Sequence, residues 1–292
     1  MNAYIINSFV HEEKGGNPAG VVILGEHDMT EETMKSIASH LALSETAFII
    51  PCDDKPDYQI RFFTPTEEVP LCGHATLASA YMLYRLGVIK KNEILQRTAA
   101  GDLEIKLIVD SGHVIIMMRQ AGPEKFTLTN TDVLRIKKCF HSSDPEPFHE
   151  SLPIEVWSTG LKDIMIGVKN RETLNTLALN FKEFSALSDE LGVVGAHVFA
   201  LESGNIFARN FAPLYGIDEE AATGTSNGAL AAYLHHHLHS AESSFDATVL
   251  QGESMNATSS ITVRSRIDSD HHEIWVGGVC HWVKTIDLHD LI

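Results

Sequence analysis

The most constraining feature of this chain is a pattern that occurs twice. Arg61-Phe62-Phe63-Thr64-Pro65 is answered by Arg209-Asn210-Phe211-Ala212-Pro213. Each is followed by an acidic loop, a glycine that opens a helical run (Gly73; Gly224) and a tyrosine within that run (Tyr81; Tyr233). The separation is 148 residues at the arginines and 152 at the tyrosines, a drift that a four-residue loop insertion accounts for. Such an ordered series reads as internal duplication of an α/β unit. The expected fold class is α+β. It has two pseudo-symmetric domains about a pseudo-two-fold axis, each a curved, mostly antiparallel sheet wrapped round a central helix. The boundary falls at Gln120-Ala121-Gly122-Pro123, giving an N-terminal domain over 1–118 and a C-terminal domain over 119–278. The final strand segment, about 279–292, is a candidate to cross back to the first half.

Local patterns fill in the units. Tyr4 to Val10 alternates as a strand, and Gly15-Gly16-Asn17-Pro18 reads as a turn before an apolar strand, Gly20 to Leu24. Thr30 is a candidate N-cap for a helix with Met34, Ile37, Ala38 and Leu41 on one face, ending near Ala42. Strands follow at Thr46–Pro51 and Tyr58–Phe63, then a loop with two prolines, Thr64–Pro70. From Gly73 a run of small residues predicts a helix buried within a sheet and ending near Gly87. In the second half, Phe181–Leu191 reads as an amphipathic helix, Gly192–Gly195 as a turn and His197–Leu201 as a strand.

Composition excludes several partners. The 292 residues carry 22 Lys+Arg against 39 Asp+Glu, a net charge of −17, which repels phosphate backbones and anionic lipids. Neither nucleic acid nor a membrane is therefore expected as a partner. No apolar run approaches a membrane span, and the N-terminus lacks the basic start of a signal peptide. Cys52, Cys72, Cys139 and Cys280 are scattered, as unpaired thiols in a reducing cytoplasm would be. A cytoplasmic protein is expected.

The chemistry concentrates at the two glycine-led helix starts. Backbone N–H groups at Gly73–His74 and Gly224–Thr225 present positive dipole ends to an anion. Were the duplication to bring them face to face, an acidic protein could trap a small carboxylate between its domains. Glu45, at the mouth of a strand beside apolar residues, is either a solvated surface acid or a partly desolvated general acid/base. The matching stretch of the second half, Gly195-Ala196-His197, puts Ala196 opposite it. His74 is either a plain helix-start residue or a donor to a substrate carboxylate. Glu219 and Glu220 are either a solvated acidic loop or the source of a second carboxylate. Cys72 is either an inert buried thiol or one activated by the helix start. In the histidine run only His235 and His239 share a helix face, with no third ligand at an obvious spacing, so no metal site is expected there.

These positions together resemble the PhzF family, the phenazine-biosynthesis isomerase and its relatives. The resemblance is carried by Gly16-Asn17-Pro18-Ala19-Gly20-Val21, Ser44-Glu45-Thr46-Ala47-Phe48, Arg61 to Pro65 running into Glu68 to Thr76, and Arg209 to Pro213 leading to Gly216-Ile217 and Thr223-Gly224. It implies the diaminopimelate-epimerase fold, a homodimer, and isomerisation of a small carboxylated substrate without cofactor or metal. It also implies Glu45 as the catalytic acid/base, and Asn17, Gly73, His74, Glu220, Gly224 and Thr225 as substrate-binding residues. The family's usual Glu-Asp-Pro-x-Thr-Gly reads Glu219-Glu220-Ala221-Ala222-Thr223-Gly224 here. The acidic arm is longer and a loop-stiffening proline is gone, which changes donor reach and rigidity. Two alternatives stand beside the isomerase: a racemase or epimerase that uses Cys72, and a small-molecule-binding protein without turnover.

Overall fold

The computed structural model describes residues 1–25, 29–52, 55–110, 113–269 and 271–289. Six α-helices and nineteen strands are present among them. The chain divides into two compact units, one formed by Met1–Arg119 with the segment from Gly277 onward, the other by Gln120–Val276. Among the described residues no helix is long and apolar enough to cross a membrane.

The first unit runs β1 (Asn2–Ser8), β2 (Asn17–Ile23), α1 (Glu31–Leu41), β3 (Glu45–Pro51), β4 (Tyr58–Phe63), β5 (Glu68–Val69), α2 (Gly73–Arg85), β6 (Glu93–Thr98), β7 (Gly101–Asp110) and β8 (His113–Arg119). Thr30 caps α1, its hydroxyl accepting from the Thr33 N–H. Met34, Ile37 and Ala38 then bury one helix face against Val22, Phe48 and Phe63. In α2 every residue from His74 to Ala80 is buried, which explains its run of alanines and small polar residues. Larger side chains would not fit a helix covered on most sides by β1, β2, β3 and β8. Asn17 and Pro18 belong to β2, not to the turn that their residue types suggest. Pro18 pairs with Asn7, and the parallel pairing of β2 with β3 begins only at Ala19 with Glu45. Pro18 thus lies outside the β3 ladder, where its missing N–H costs nothing on that side.

The second unit runs β9 (Glu124–Phe126), α3 (Asn130–Lys138), β10 (Phe140–His141), β11 (Glu155–Ser158), β12 (Lys162–Val168), α4 (Arg171–Thr176), β13 (Ala178–Leu179), α5 (Phe181–Leu191), β14 (Gly195–Glu202), β15 (Asn205–Ala212), β16 (Ile217–Glu220), α6 (Gly224–Leu238), β17 (Ser244–Gln251) and β18 (Ser259–Asp268). The long β19 (His271–Asp287) follows, and its C-terminal part pairs with β1 of the first unit, from Ser8 with Cys280 to Asn2 with Asp287. Phe184 and Leu187 of α5 pack with Phe140, Val198 and Phe211. From Ser226 to His235, α6 is buried throughout.

Connectivity repeats between the units. A parallel pair (β2–β3; β12–β14) is followed by an antiparallel hairpin (β3–β4; β14–β15). A parallel step over a short strand and the buried helix comes next (β4–β6; β15–β17), then another hairpin (β6–β7; β17–β18). The paired arginines have the same task. Arg61 clamps Glu68 through two hydrogen bonds of 2.7 and 2.6 Å, and Arg209 clamps Glu219 through two of 2.9 and 2.8 Å. Each fork ties a strand to the acidic stretch that leads to the buried helix.

Strand register corrects one correspondence. Arg61 pairs with Phe48 and Arg209 with Val198. With the arginines equated, Glu45 therefore corresponds to Gly195, not to Ala196. Gly195 opens β14 where a turn was expected, and a Cβ there would stand 1.8 Å from the Phe211 carbonyl oxygen. No side chain fits at that position. Its partner across the parallel ladder is Asp163, where Glu45 faces Ala19.

Candidate active site

In the first unit, three site residues come together. A left-handed turn at Ala42 (φ 51°) ends α1, and the chain enters β3 at Glu45. Cys72 is the N-cap of α2 and His74 lies in its first turn. Nε2 of His74 is 3.3 Å from Oε2 of Glu45 and 3.3 Å from Oγ of Ser44. Nδ1 of His74 is 3.4 Å from Sγ of Cys72. The Ser8 hydroxyl holds the turn by donating to the His74 carbonyl at 2.7 Å. Gly16 (φ 82°) lets the chain approach Ser8, since a Cβ there would sit 2.5 Å from the Ser8 carbonyl oxygen. Asn17 pairs with Ser8 at the start of β2, one residue before Pro18.

The electrostatics follow from burial. His74 is buried, which pushes its imidazole below the usual histidine range; the Glu45 carboxylate and the Pro18 carbonyl pull the other way. Oε2 of Glu45 is buried and has no hydrogen-bond partner, although the side chain as a whole is 22% exposed.

Both glycine-led helices differ from the other four at their starts. Thr30, Thr129, Asn170 and Asn180 cap α1, α3, α4 and α5 with side-chain oxygens. Cys72 and Thr223 make no side-chain cap bond to α2 and α6. The opening turns of α2 and α6 thus lack the side-chain cap that the other four helix starts have. At Gly73 a Cβ would meet only Cε of Met118, at 3.5 Å, so packing does not demand glycine there.

In the second unit, Glu219 is engaged by the Arg209 fork. The Thr223 hydroxyl donates to Oε2 of Glu220 at 2.6 Å, and the Thr225 carbonyl accepts from the Thr159 hydroxyl at 3.0 Å. Gly224 opens α6 between these two residues. Behind them runs a buried network that sequence reasoning missed. Ser226 donates to Asp163 at 2.6 Å, and Asn210 donates to Ser226 and lies 3.2 Å from Nδ1 of His197. Nε2 of His197 faces Oδ1 of Asn227 at 3.2 Å, Asn227 donates to Gln251, and Gln251 donates to Thr223. Asn227 spends its amide hydrogens on Thr223 and Gln251, which leaves its oxygen to accept. His197 therefore carries its proton on Nε2. Thr-Ser-Asn-Gly at a buried helix start was the one available signal for this network.

The histidines of the run have protein partners of their own. His235 is buried between the Ser265 hydroxyl (2.6 Å) and the Glu242 carbonyl (3.0 Å), while His239 pairs with the Glu242 carboxylate at 2.8 Å. Among the described residues the cluster with metal-ligating donors is Glu45, Cys72 and His74. A cavity of about 570 Å³ in the second unit and one of about 670 Å³ in the first both leave Glu45 and His74 out of their walls.

The model of the phenazine biosynthesis-like protein family (PhzC-PhzF) matches residues 6–284. The chain belongs to that family. It is 36% identical over 276 residues to an uncharacterized isomerase of Clostridium acetobutylicum, covering 92% of this chain and 91% of the relative. A trans-2,3-dihydro-3-hydroxyanthranilate isomerase of Pseudomonas chlororaphis is 29% identical, with 80% of this chain and 79% of the relative covered. The crystal structure of a PhzF-family phenazine biosynthesis protein of Bacillus anthracis superposes with a TM-score of 0.87 at 28% identity, covering 98% of both chains. The protein is an isomerase of the PhzF family, and the alternative of a binding protein without turnover gives way.

Proposed function

We propose that this PhzF-family isomerase moves a proton between two carbons of a small carboxylated metabolite, with Glu45 as the general acid/base and no cofactor. The observation that carries this reading is the buried Oε2 of Glu45, held by no hydrogen bond and 3.3 Å from Nε2 of a buried imidazole. A buried carboxylate oxygen that no hydrogen bond ties down is ready to take a proton from carbon and return it elsewhere. The uncapped N–H groups of α2, with His74 in its first turn, suit a substrate carboxylate. Gly224 and Thr225 offer the same at α6, beside Glu220 and its Thr223 donor. Asn17 supports the site from β2. We further propose a cytoplasmic homodimer, and two units descended from one diaminopimelate-epimerase-like ancestor, for which the repeated connectivity speaks.

The Pseudomonas chlororaphis relative points to cyclic amino-acid carboxylates as the first substrates to try. Glu220 and Ala221 alter the loop that would set donor reach, so a neighbouring substrate is expected in place of the phenazine precursor. Glu45→Gln should lower turnover by roughly 10²–10⁴ with binding largely kept. Unchanged turnover ends the proposal. The contact between Cys72 and His74 favours one second reading, thiol-based epimerisation. Cys72→Ser separates the two: it abolishes epimerisation and leaves a Glu45-driven isomerase working.

A further inference from the structure

Gln251, at the end of β17, is fully buried and uses every hydrogen-bonding position of its amide. Its Nε2 donates to the Glu220 carbonyl at 2.7 Å and to the Thr223 hydroxyl at 3.1 Å. Its Oε1 accepts from the Thr223 N–H at 3.3 Å and from Nδ2 of Asn227 at 2.7 Å. We propose that Gln251 is a positioning residue for the isomerisation, fixing the loop from Glu220 to Thr223 and aiming the Thr223 hydroxyl at the Glu220 carboxylate. This role presupposes the proposed reading of Glu220 and the α6 opening as substrate-binding.

The direction of these hydrogen bonds is forced. Asn227 uses its amide hydrogens on Thr223 and Gln251, so Oε1 of Gln251 must face it and Nε2 must face the Thr223 hydroxyl. That hydroxyl oxygen accepts from Gln251, and its own hydrogen goes to Oε2 of Glu220 at 2.6 Å, the short contact of a hydroxyl with a carboxylate. Upstream, Asn210, His197 and Asn227 are all buried and donate in the same sense, so each bond polarises the next. The loop is also held by its backbone. Gly252 has φ 86°, and a Cβ there would stand 2.8 Å from the Ala221 carbonyl oxygen and 2.7 Å from that of Ala257. Ala221 has no ring to restrict its own φ, so the neighbouring strand end supplies the stiffness. Ser254, two residues on from Gly252, donates to Glu219. The matching position of the first unit has a different task. Tyr58 pairs with Gln96 as Ile206 pairs with Val249, which carries Gln251 onto Thr98. The Thr98 hydroxyl turns to the Gly101 carbonyl in its own hairpin. The grip on the acidic loop therefore belongs to the second unit and not to the duplicated frame.

Two readouts test the role, and the first needs no substrate. In amide hydrogen exchange followed by mass spectrometry, Gln251→Met, similar in volume, should speed exchange over 220–225 by roughly tenfold or more while β3 and α5 keep parental rates. Unchanged exchange over 220–225, or an equal rise in α5, would overturn the clamp. The second readout is the split between KM and kcat, measured on the compound that exchanges deuterium fastest from pooled cyclic and amino-acid carboxylates. Gln251→Met and Thr223→Val, the latter at a half-buried position, should each raise KM by roughly tenfold with kcat within about twofold of the parent. Thr223→Ser, which keeps the hydroxyl, should restore KM. Combining Gln251→Met with Thr223→Val should raise KM by less than the product of the single effects, and Thr98→Val should leave KM unchanged. A general loss of folded protein lowers kcat and leaves KM alone. Parental KM in Gln251→Met and Thr223→Val, or effects that simply multiply in the double variant, would therefore refute the role. Should Glu45→Gln leave turnover unchanged while these shifts in KM persist, the acid/base reading fails and the role of Gln251 stands.

Discussion

Asp163 and His197 are two buried titratable groups in one network, and their opposed shifts make a sharp prediction. Burial pushes the Asp163 carboxyl up to about 6 from its ordinary 3.8, against the pull of the Ser226 hydroxyl and the Gly195 N–H. Burial pushes His197 down to about 4 from 6.5, with the Asn227 contact opposing. Between pH 4 and 6 folded Asp163 binds more protons than the unfolded chain, so its contribution to stability is present at low pH and lost as pH rises through 6. His197 behaves in reverse: its contribution is present above 6.5 and lost as pH falls through 4. At 1.36 kcal/mol per unit each is worth about 3 kcal/mol, and in the unaltered protein the two slopes largely cancel. Asp163→Asn removes one slope while keeping an oxygen for Ser226 and placing an amide donor on a side chain whose Oδ1 has no partner. Urea denaturation from pH 4 to 8 should show the variant gaining about 3 kcal/mol on the parent between pH 4 and pH 7. A difference that is flat with pH, or that falls, refutes this account of the network.

Gly73→Ala should fold with near-parental stability, because its Cβ meets only Cε of Met118 at 3.5 Å. If a carboxylate approaches the opening of α2, the same variant raises KM by roughly tenfold or more, read in steady-state kinetics with a turned-over substrate. Arg209→Ala should cost about 3–5 kcal/mol in chemical denaturation, since the Arg209–Glu219 pair is 12% and 15% exposed and the arginine also holds the Leu174 and Leu177 carbonyls. Arg61→Ala, in a fork 25% and 29% exposed, should cost less.

Much of this architecture was legible because short-range chemistry dictates it. Thr30 announces α1 through its cap, the bounds of β4 and α5 follow from their apolar spacing, and the repeated arginines turned out to do one job twice. Register was not legible. Placing Ala196 opposite Glu45 was off by one because a strand's partner is set by pairing across the sheet, and a one-residue slip changes the answer. The family resemblance pointed to Glu45 and His74, and spacing alone could not show that they touch. Asp163, His197 and Gln251 lie on three different strands, and only long-range pairing makes them neighbours. Cys72 and His74 are two residues apart, yet their contact depends on the extended cap conformation of Cys72 (φ −141°) before the helix begins.

The most direct measurement of the central claim is hydrogen exchange at carbon. Unaltered protein and Glu45→Gln are incubated with pooled cyclic and amino-acid carboxylates in deuterated water, and mass shifts are followed over time. The account predicts that deuterium enters at least one compound with the unaltered protein and that the rate falls by roughly 10²–10⁴ with Glu45→Gln. Equal incorporation by both proteins would contradict it.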